Sequence, residues 1–233
     1  MALPKLETPT YELELPSTGE KVKYRPFLVK EQKILMLAQE SDNDAQTFEM
    51  MSQLINSCTF NKINVSQSPV FDVEYIFLKL RAKSVGETTT INVLCPDDNV
   101  TYASVKINID EIDVQMIDEH TNEVYITDNI KLTMNYPLLN DMKGVELGNT
   151  QHIFNLLKKC IGQIQHGDEI HNRVDIQDKE LDEFIDNLNT EQFEKIVNFF
   201  NTMPKLRHVV TVNNPKTKKE SQVILEGLES FLE

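Results

Sequence analysis

The sequence predicts an α+β protein in which amphipathic helices pack on antiparallel hairpins, with a helical C-terminal segment ending in a β-hairpin. Apolar residues switch several times along the chain between a spacing of three to four, which makes one face of a helix, and a spacing of two, which makes one face of a strand. Short Pro, Gly, Asn and Asp clusters stand between neighbouring alternating runs, as hairpins require. The 233 residues are 40% hydrophobic and 26% charged, the content of a chain that can bury a sizeable core.

The first element is a hairpin. Tyr11, Leu13 and Leu15 alternate with Glu12 and Glu14, the turn is Pro16-Ser17-Thr18-Gly19, and Lys21-Val22-Lys23-Tyr24-Arg25 alternates in return. Its polar positions are acidic on one strand and basic on the other, so cross-strand pairs help set the register. Phe27 to Glu40 then reads as a helix with Ile34, Leu35, Leu37 and Ala38 on its apolar side. Ser41-Asp42-Asn43-Asp44 breaks it, and Ala45 to Ser57 is a second helix with Phe48, Met51, Ile55 and Cys58 in one stripe. The two are expected to form a helical hairpin, with Met36, Met50 and Met51 filling core.

The stretch from Ser68 to Asp110 is the expected centre of the fold. Val73, Ile76, Phe77 and Leu80 recur at helical spacing, with Ser68 as the expected cap, Pro69 at the first position and Asp72 in the first turn. After Gly86 the period becomes two: Thr89, Ile91, Val93 and Cys95 share a strand face, Pro96-Asp97-Asp98-Asn99 reverses the chain, and Val105, Ile107 and Ile109 share the next. The pieces Ile112 to Met116, Glu123 to Ile126 and Asn129 to Tyr136 are expected to extend the same sheet. The acids Asp110, Glu111, Asp113, Asp118 and Glu119 lack the glycine and ligand spacing of a calcium loop and read as a solvated rim.

Composition changes after Pro137, which predicts two regions, 1–137 and 138–233, or one compact domain containing both. In the second, Asn149 or Thr150 caps a helix with Ile153, Leu156, Leu157, Cys160, Ile161 and Ile164 in a wide stripe that Gly167 stops. Asp178 to Asn189 and Thr190 to Thr202 follow as helices. A terminal hairpin alternates His208, Val210 and Val212, turns at Asn213 to Glu220, and returns through Gln222 to Leu225. Gly227 then permits a last short apolar segment.

Composition also restricts function. Lysine plus arginine number 23 against 37 acids, and the net charge of −14 repels a phosphate backbone, so nucleic acid is not an expected partner. No apolar run approaches the ~20 residues of a membrane span, and the start lacks a signal-peptide core, which predicts a cytoplasmic protein. Cys58, Cys95 and Cys160 are odd in number and far apart, the pattern of reduced, buried thiols. His152, His166 and His171 do not fall on one helical face, no Gly-x-Ser-x-Gly elbow occurs, and no Cys is followed by a His and Asn in a nucleophile arrangement. No catalytic, metal or cofactor residue is assigned, and no enzyme is expected.

Several stretches resemble one family. They are Ala2-Leu3-Pro4-Lys5-Leu6, Tyr11 through Gly19, Tyr24 through Leu35, Leu80-Arg81-Ala82-Lys83-Ser84-Val85-Gly86-Glu87, and Leu225-Glu226-Gly227-Leu228-Glu229-Ser230-Phe231. Distributed over most of the chain, they resemble the baseplate hub family of T-even-type contractile-tailed bacteriophages. The resemblance implies a structural or chaperone-like hub-assembly protein that acts by contact with other phage tail baseplate hub proteins, in the host cytoplasm during assembly and, if it stays in the finished particle, in the virion tail baseplate. In such relatives the last hairpin often carries Cys-x-x-Cys at its turn. Here Asn214-Pro215-Lys216-Thr217 stands there, so a zinc role is not carried over. The competing reading is an acidic adaptor or inhibitor domain that binds a basic protein. On either reading the expected contacts are apolar side chains on the terminal segment, Leu228, Phe231 and Leu232.

Overall fold

The computed structural model of the chain describes residues 7–39, 44–145 and 149–231. Within them the α+β class holds, with six α-helices and eleven strands in four small antiparallel sheets. In chain order the first elements are β1 (Tyr11–Glu14), β2 (Lys21–Tyr24), α1 (Val29–Gln39), α2 (Asp44–Cys58), α3 (Val70–Val85), β3 (Thr88–Leu94), β4 (Tyr102–Asn108) and β5 (Asp113–Gln115). Then come β6 (Glu123–Tyr125), β7 (Ile130–Met134), α4 (Thr150–Cys160), β8 (Ile161–His166), β9 (Glu169–Asn172), α5 (Asp178–Asp186), α6 (Thr190–Thr202), β10 (Lys205–Asn213) and β11 (Glu220–Glu226).

Contacts gather these elements into two units: residues up to Gln115 together with those from Lys205, and Met116–Pro204. The expected division at 137/138 falls inside the second unit, because β7 and β8, on either side of it, pair with each other. Nor do the strands form one sheet. β5 joins the terminal hairpin in the order β11-β10-β5, whereas β6 and β7 belong to a separate sheet ordered β6-β7-β8-β9.

In the first unit β1 and β2 pair as their charges predict, Glu12 opposite Lys23 and Glu14 opposite Lys21, with Leu13 opposite Val22 on the buried face. Helix α3 is buried nearly all round: Phe71, Val73, Ile76, Phe77, Leu78, Leu80 and Ala82 are all enclosed, a wider burial than the single stripe its sequence suggests. Ser68 does not cap it. That hydroxyl donates to the Asn64 carbonyl at 3.0 Å, and Pro69 occupies the cap position without a side-chain bond. Lys79 fixes the far side of α3 by donating to the carbonyls of Asp110 and Ile112, both at 3.0 Å. In α2, Leu54, Ile55 and Cys58 are fully enclosed, but in α1 Met36 and Leu37 are more than half exposed, so core filling does not describe that helix.

The second unit corrects the longest predicted helix. α4 ends at Cys160, and Ile161–His166 is strand β8, which turns at Gly167 into β9. Ile161 and Ile164 are three apart, as on a helix face, yet both are buried in a strand because the pairing with β7 shifts register between Thr133 and Met134. Gly162 is the extra residue of this bulge, and a β-carbon there would lie 2.7 Å from Asn135 Nδ2 and 3.1 Å from the Thr133 carbonyl. The remaining helices start where predicted: Asn149 caps α4 by accepting from Gln151 N, and Asn189 caps α6 by accepting from Gln192 N. Leu132, Met134, Leu157, Cys160, Ile161, Leu181, Ile196 and Phe199 form the centre of this unit's core.

Candidate assembly surface

The polar chemistry inside the first unit is concentrated in three clusters, each of which ties distant segments. Arg25, just after β2, donates through Nη2 to Glu31 Oε1 at 2.8 Å and to Ser57 Oγ at 3.1 Å. Glu31, in the first turn of α1, also accepts from Leu28 N and Ser57 Oγ, both at 2.9 Å. Burial opposes the Glu31 charge, but the Arg25 bond and the Leu28 and Ser57 donors outweigh it and hold its pKa down to about 2. In the second cluster the enclosed Asp72 accepts from the amide of Ser17 at 3.0 Å and from its hydroxyl, which fastens the β1–β2 turn to the start of α3. Burial raises the Asp72 pKa against those two bonds.

The third cluster joins the β3–β4 turn to the β10–β11 turn. Asn214 donates to Asp97 Oδ1 at 2.9 Å and Thr217 donates to Asp97 Oδ2 at 2.5 Å, while Asn214 Oδ1 accepts from the amides of Lys216 and Thr217. Those bonds lower the Asp97 pKa. Asn214 and Thr217 are the positions at which the resemblance led one to look for paired cysteines. Hydrogen bonds link the two turns there instead.

The three cysteines are buried and free, and burial drives Cys58 up to about 11 and Cys160 up to about 12, opposite to the shift a nucleophilic thiol needs. His120 sits against Tyr136 and Phe199 with Nδ1 2.9 Å from Thr202 Oγ1, and burial lowers its pKa. An open cleft of about 700 Å³ in the second unit has Glu119, Glu123, Glu191 and Glu194 around Tyr125 and Phe199. Its one lysine, Lys195, donates to the Ile126 carbonyl at 3.2 Å. Among the described residues no group of three or more His, Cys, Asp or Glu side chains can hold a metal ion.

Two of the three expected contact residues are not exposed. Leu228 and Phe231 are buried in a short 3-10 turn, Phe231 completely, and the Leu228 amide donates to Glu74 Oε1 of α3 at 3.1 Å. Leu232 lies outside the described residues. Leu228 and Phe231 are therefore part of this unit's own core, placed there by Gly227, whose φ of +75° turns the chain off β11 and whose amide donates to the Leu206 carbonyl.

What the C-terminal region does expose is the edge of β11. This strand ends its sheet, it runs seven residues, and its pairing with β10 is continuous. The bonds from Gly227 N to Leu206 O and from Asn214 N to Lys219 O fix the phase of the ladder, so the peptide groups of Glu220, Gln222, Ile224 and Glu226 point away from β10. The Glu226 carbonyl accepts from Ser230 Oγ at 2.7 Å. The outward peptide groups of Glu220, Gln222 and Ile224 have no partner among the described residues. On the outer face of the same hairpin Val209 and Ile224 lie opposite each other, each about half exposed.

A family model described as T4 bacteriophage base plate protein matches residues 8–233. The chain belongs to that family. No curated protein and no solved structure matches it. The match runs through both units of the baseplate protein and through all eleven strands. No helix among the described residues of this baseplate protein is long and apolar enough to cross a membrane.

Proposed function

We propose that the chain works in the central hub of the tail baseplate, as a structural subunit or as a chaperone-like assembly factor, through contact with other hub proteins and without turnover. The observation that carries this reading is the family match over residues 8–233, together with interior polar groups that bond to one another and leave no poised nucleophile or metal cluster among the described residues. The net charge of −14 keeps such a subunit soluble and apart from its own copies until a partner is met in the host cytoplasm. Affinity purification of the tagged chain from infected cells tests the proposal: tail hub proteins should co-purify, and absence of every hub component would overturn it. Mass spectrometry of purified virions separates the two roles, since a subunit is present in intact tails and an assembly factor is not.

A further inference from the structure

We infer that the cleft between β6 and α6 is a docking groove for an extended segment of another protein that carries lysines or arginines along its length. The inference rests on the proposed role by contact and specifies one surface on which contact is made. The groove follows from how the two elements pack. Val124 is buried in the core to which α6 contributes Ile196 and Phe199, so the side chains of Glu123 and Tyr125, its neighbours on β6, leave from the opposite face of the strand. A cleft bounded by both of them and by Glu191, Glu194 and Asn198 of α6 therefore runs along the outer edge of β6, the end strand of its sheet. The bonds from Ile126 N to Ile130 O and from Met134 N to Asn122 O fix the phase of the β6–β7 ladder, so the peptide groups of Glu123 and Tyr125 point away from β7. The Glu123 amide donates to Thr121 Oγ1 at 3.1 Å, but the Glu123 carbonyl and the amide and carbonyl of Tyr125 have no partner among the described residues.

The chemistry of the groove identifies its occupant. Of its four glutamates only Glu123 is neutralised, by Lys131 at 2.7 Å. Glu119, Glu191 and Glu194 are exposed and make no ion pair among the described residues, and the amine of Lys195 is engaged by the Ile126 carbonyl. Among the described residues no three such groups are placed to hold a metal ion, so separate cations spaced along a chain answer them. Tyr125 and Ile117, both exposed, line the same cleft and offer apolar surface on which lysine or arginine stems pack while their charged ends stay in water. The outward amide and carbonyls of β6 bond the backbone of an extended segment, the main-chain recognition used at sheet edges. A solvated acidic face lacks this combination of unpaired charge, apolar surface and unpartnered backbone in one concavity.

The test uses the full chain and two synthetic peptides, each about nine residues long and within the usual strand range. One alternates threonine with lysine and the other threonine with glutamate. The lysine peptide should bind and slow amide exchange at Tyr125, and the glutamate peptide should not bind. Glu119→Gln, Glu191→Gln and Glu194→Gln made together should weaken the lysine peptide about three- to 150-fold, the range of three exposed ion pairs. The fold should be retained, because all three side chains lie in water. Glu20→Gln, Asp168→Asn and Asp186→Asn together remove the same charge from exposed positions outside the cleft, and at physiological salt should leave affinity within about twofold. Absence of binding, equal weakening by the two triple variants, or unchanged exchange at Tyr125 in the bound state overturns the inference. So does self-association of the full chain that the cleft variant abolishes, since Lys216, Lys218 and Lys219 on the exposed β10–β11 turn would then make a second copy the occupant. The hub role fails separately. If hub proteins co-purify equally with the unaltered chain and with the cleft variant, the role stands and this groove is not its contact; if none co-purifies with the unaltered chain while the lysine peptide binds as expected, the groove stands and the role fails.

Discussion

The two units of this baseplate protein are stabilised by different means. Every buried polar or charged side chain among the described residues, namely Arg25, Glu31, Thr59, Asp72, Thr101 and Asn214, lies in the first unit. The second encloses a core of aliphatic and aromatic side chains with Cys160 and Met134 among them. Connectivity accounts for the difference. The second unit is one continuous segment, whereas the first is closed by segments far apart in sequence, and its bonds join Ser17 to Asp72, Asp97 to Asn214 and Glu74 to Leu228 across separations of 55, 117 and 154 residues. Apolar burial is strong but non-directional. Hydrogen bonds between enclosed groups have narrow geometry and penalise wrong partners, which suits a unit whose closure depends on segments far apart in sequence.

The largest effect should come from Glu31→Gln. Removing the charge leaves the Arg25 guanidinium enclosed without its counter-charge, at a cost of ~3–5 kcal/mol. The loss should fall on the first unit: amide exchange at Leu54 should accelerate while that at Leu132 stays near its original rate. Equal acceleration at both would mean that the two units unfold together and that the contrast between them has no thermodynamic content.

Acid should reproduce this loss by titration. The folded pKa of Glu31, about 2, lies below its ordinary 4.5. A depressed carboxylate contributes stability above its unfolded pKa and loses it as pH falls through the folded value. The window is therefore pH 4.5 down to about 2, and the contribution lost is about 3 kcal/mol. Asp72 works in the opposite direction, because burial raises its pKa and protonation relieves an enclosed charge. Fluorescence or circular dichroism of wild type and Glu31→Gln through that window separates the two, since the variant should lose less on acidification.

Two substitutions of intermediate size examine one unit each. Asn214→Ala removes the donor to Asp97 and the acceptor for the Lys216 and Thr217 amides, and should cost ~1–3 kcal/mol in the first unit. Gly162→Ala places a β-carbon against Asn135 and the Thr133 carbonyl in the bulge, and should cost a similar ~1–3 kcal/mol in the second. Thermal unfolding read by unit-specific amide exchange should show each loss in its own unit.

Much of the secondary structure could be read from the residues because helix and strand periods are local. The β1–β2 register followed from charges a few residues apart, and α6 runs from Thr190 to Thr202 as its apolar spacing implies. The clusters that close the first unit could not be read, because nothing local distinguishes Glu31 or Asp97 from the other acids among 37; their partners are brought to them only by the fold. Strand β8 was misread for a local reason, since a bulge at Gly162 gives a strand the spacing of a helix face. Leu228 and Phe231 were misplaced because a short apolar segment after a glycine looks like a loose end, and only the bond to Glu74 and complete burial of Phe231 show otherwise.

The smallest expected effect is the most direct check that exposure and stability are separate here. Val174 is 91% exposed on the 3-10 turn after β9, and Ile170 on β9 is 58% exposed. A side chain already in water contributes little to the folded state, so Val174→Ser should change stability by no more than ~0.5 kcal/mol. A loss above 1 kcal/mol would mean that this turn is packed in solution and that the second unit's core extends beyond its enclosed residues. The informative result is unchanged stability measured together with hub co-purification. If co-purification also survives, the outer hairpin of the second unit is solvated surface and contact rests elsewhere on the molecule. If co-purification fails while stability holds, β9 and its turn meet a partner, and the second unit contributes a contact there in addition to an apolar core.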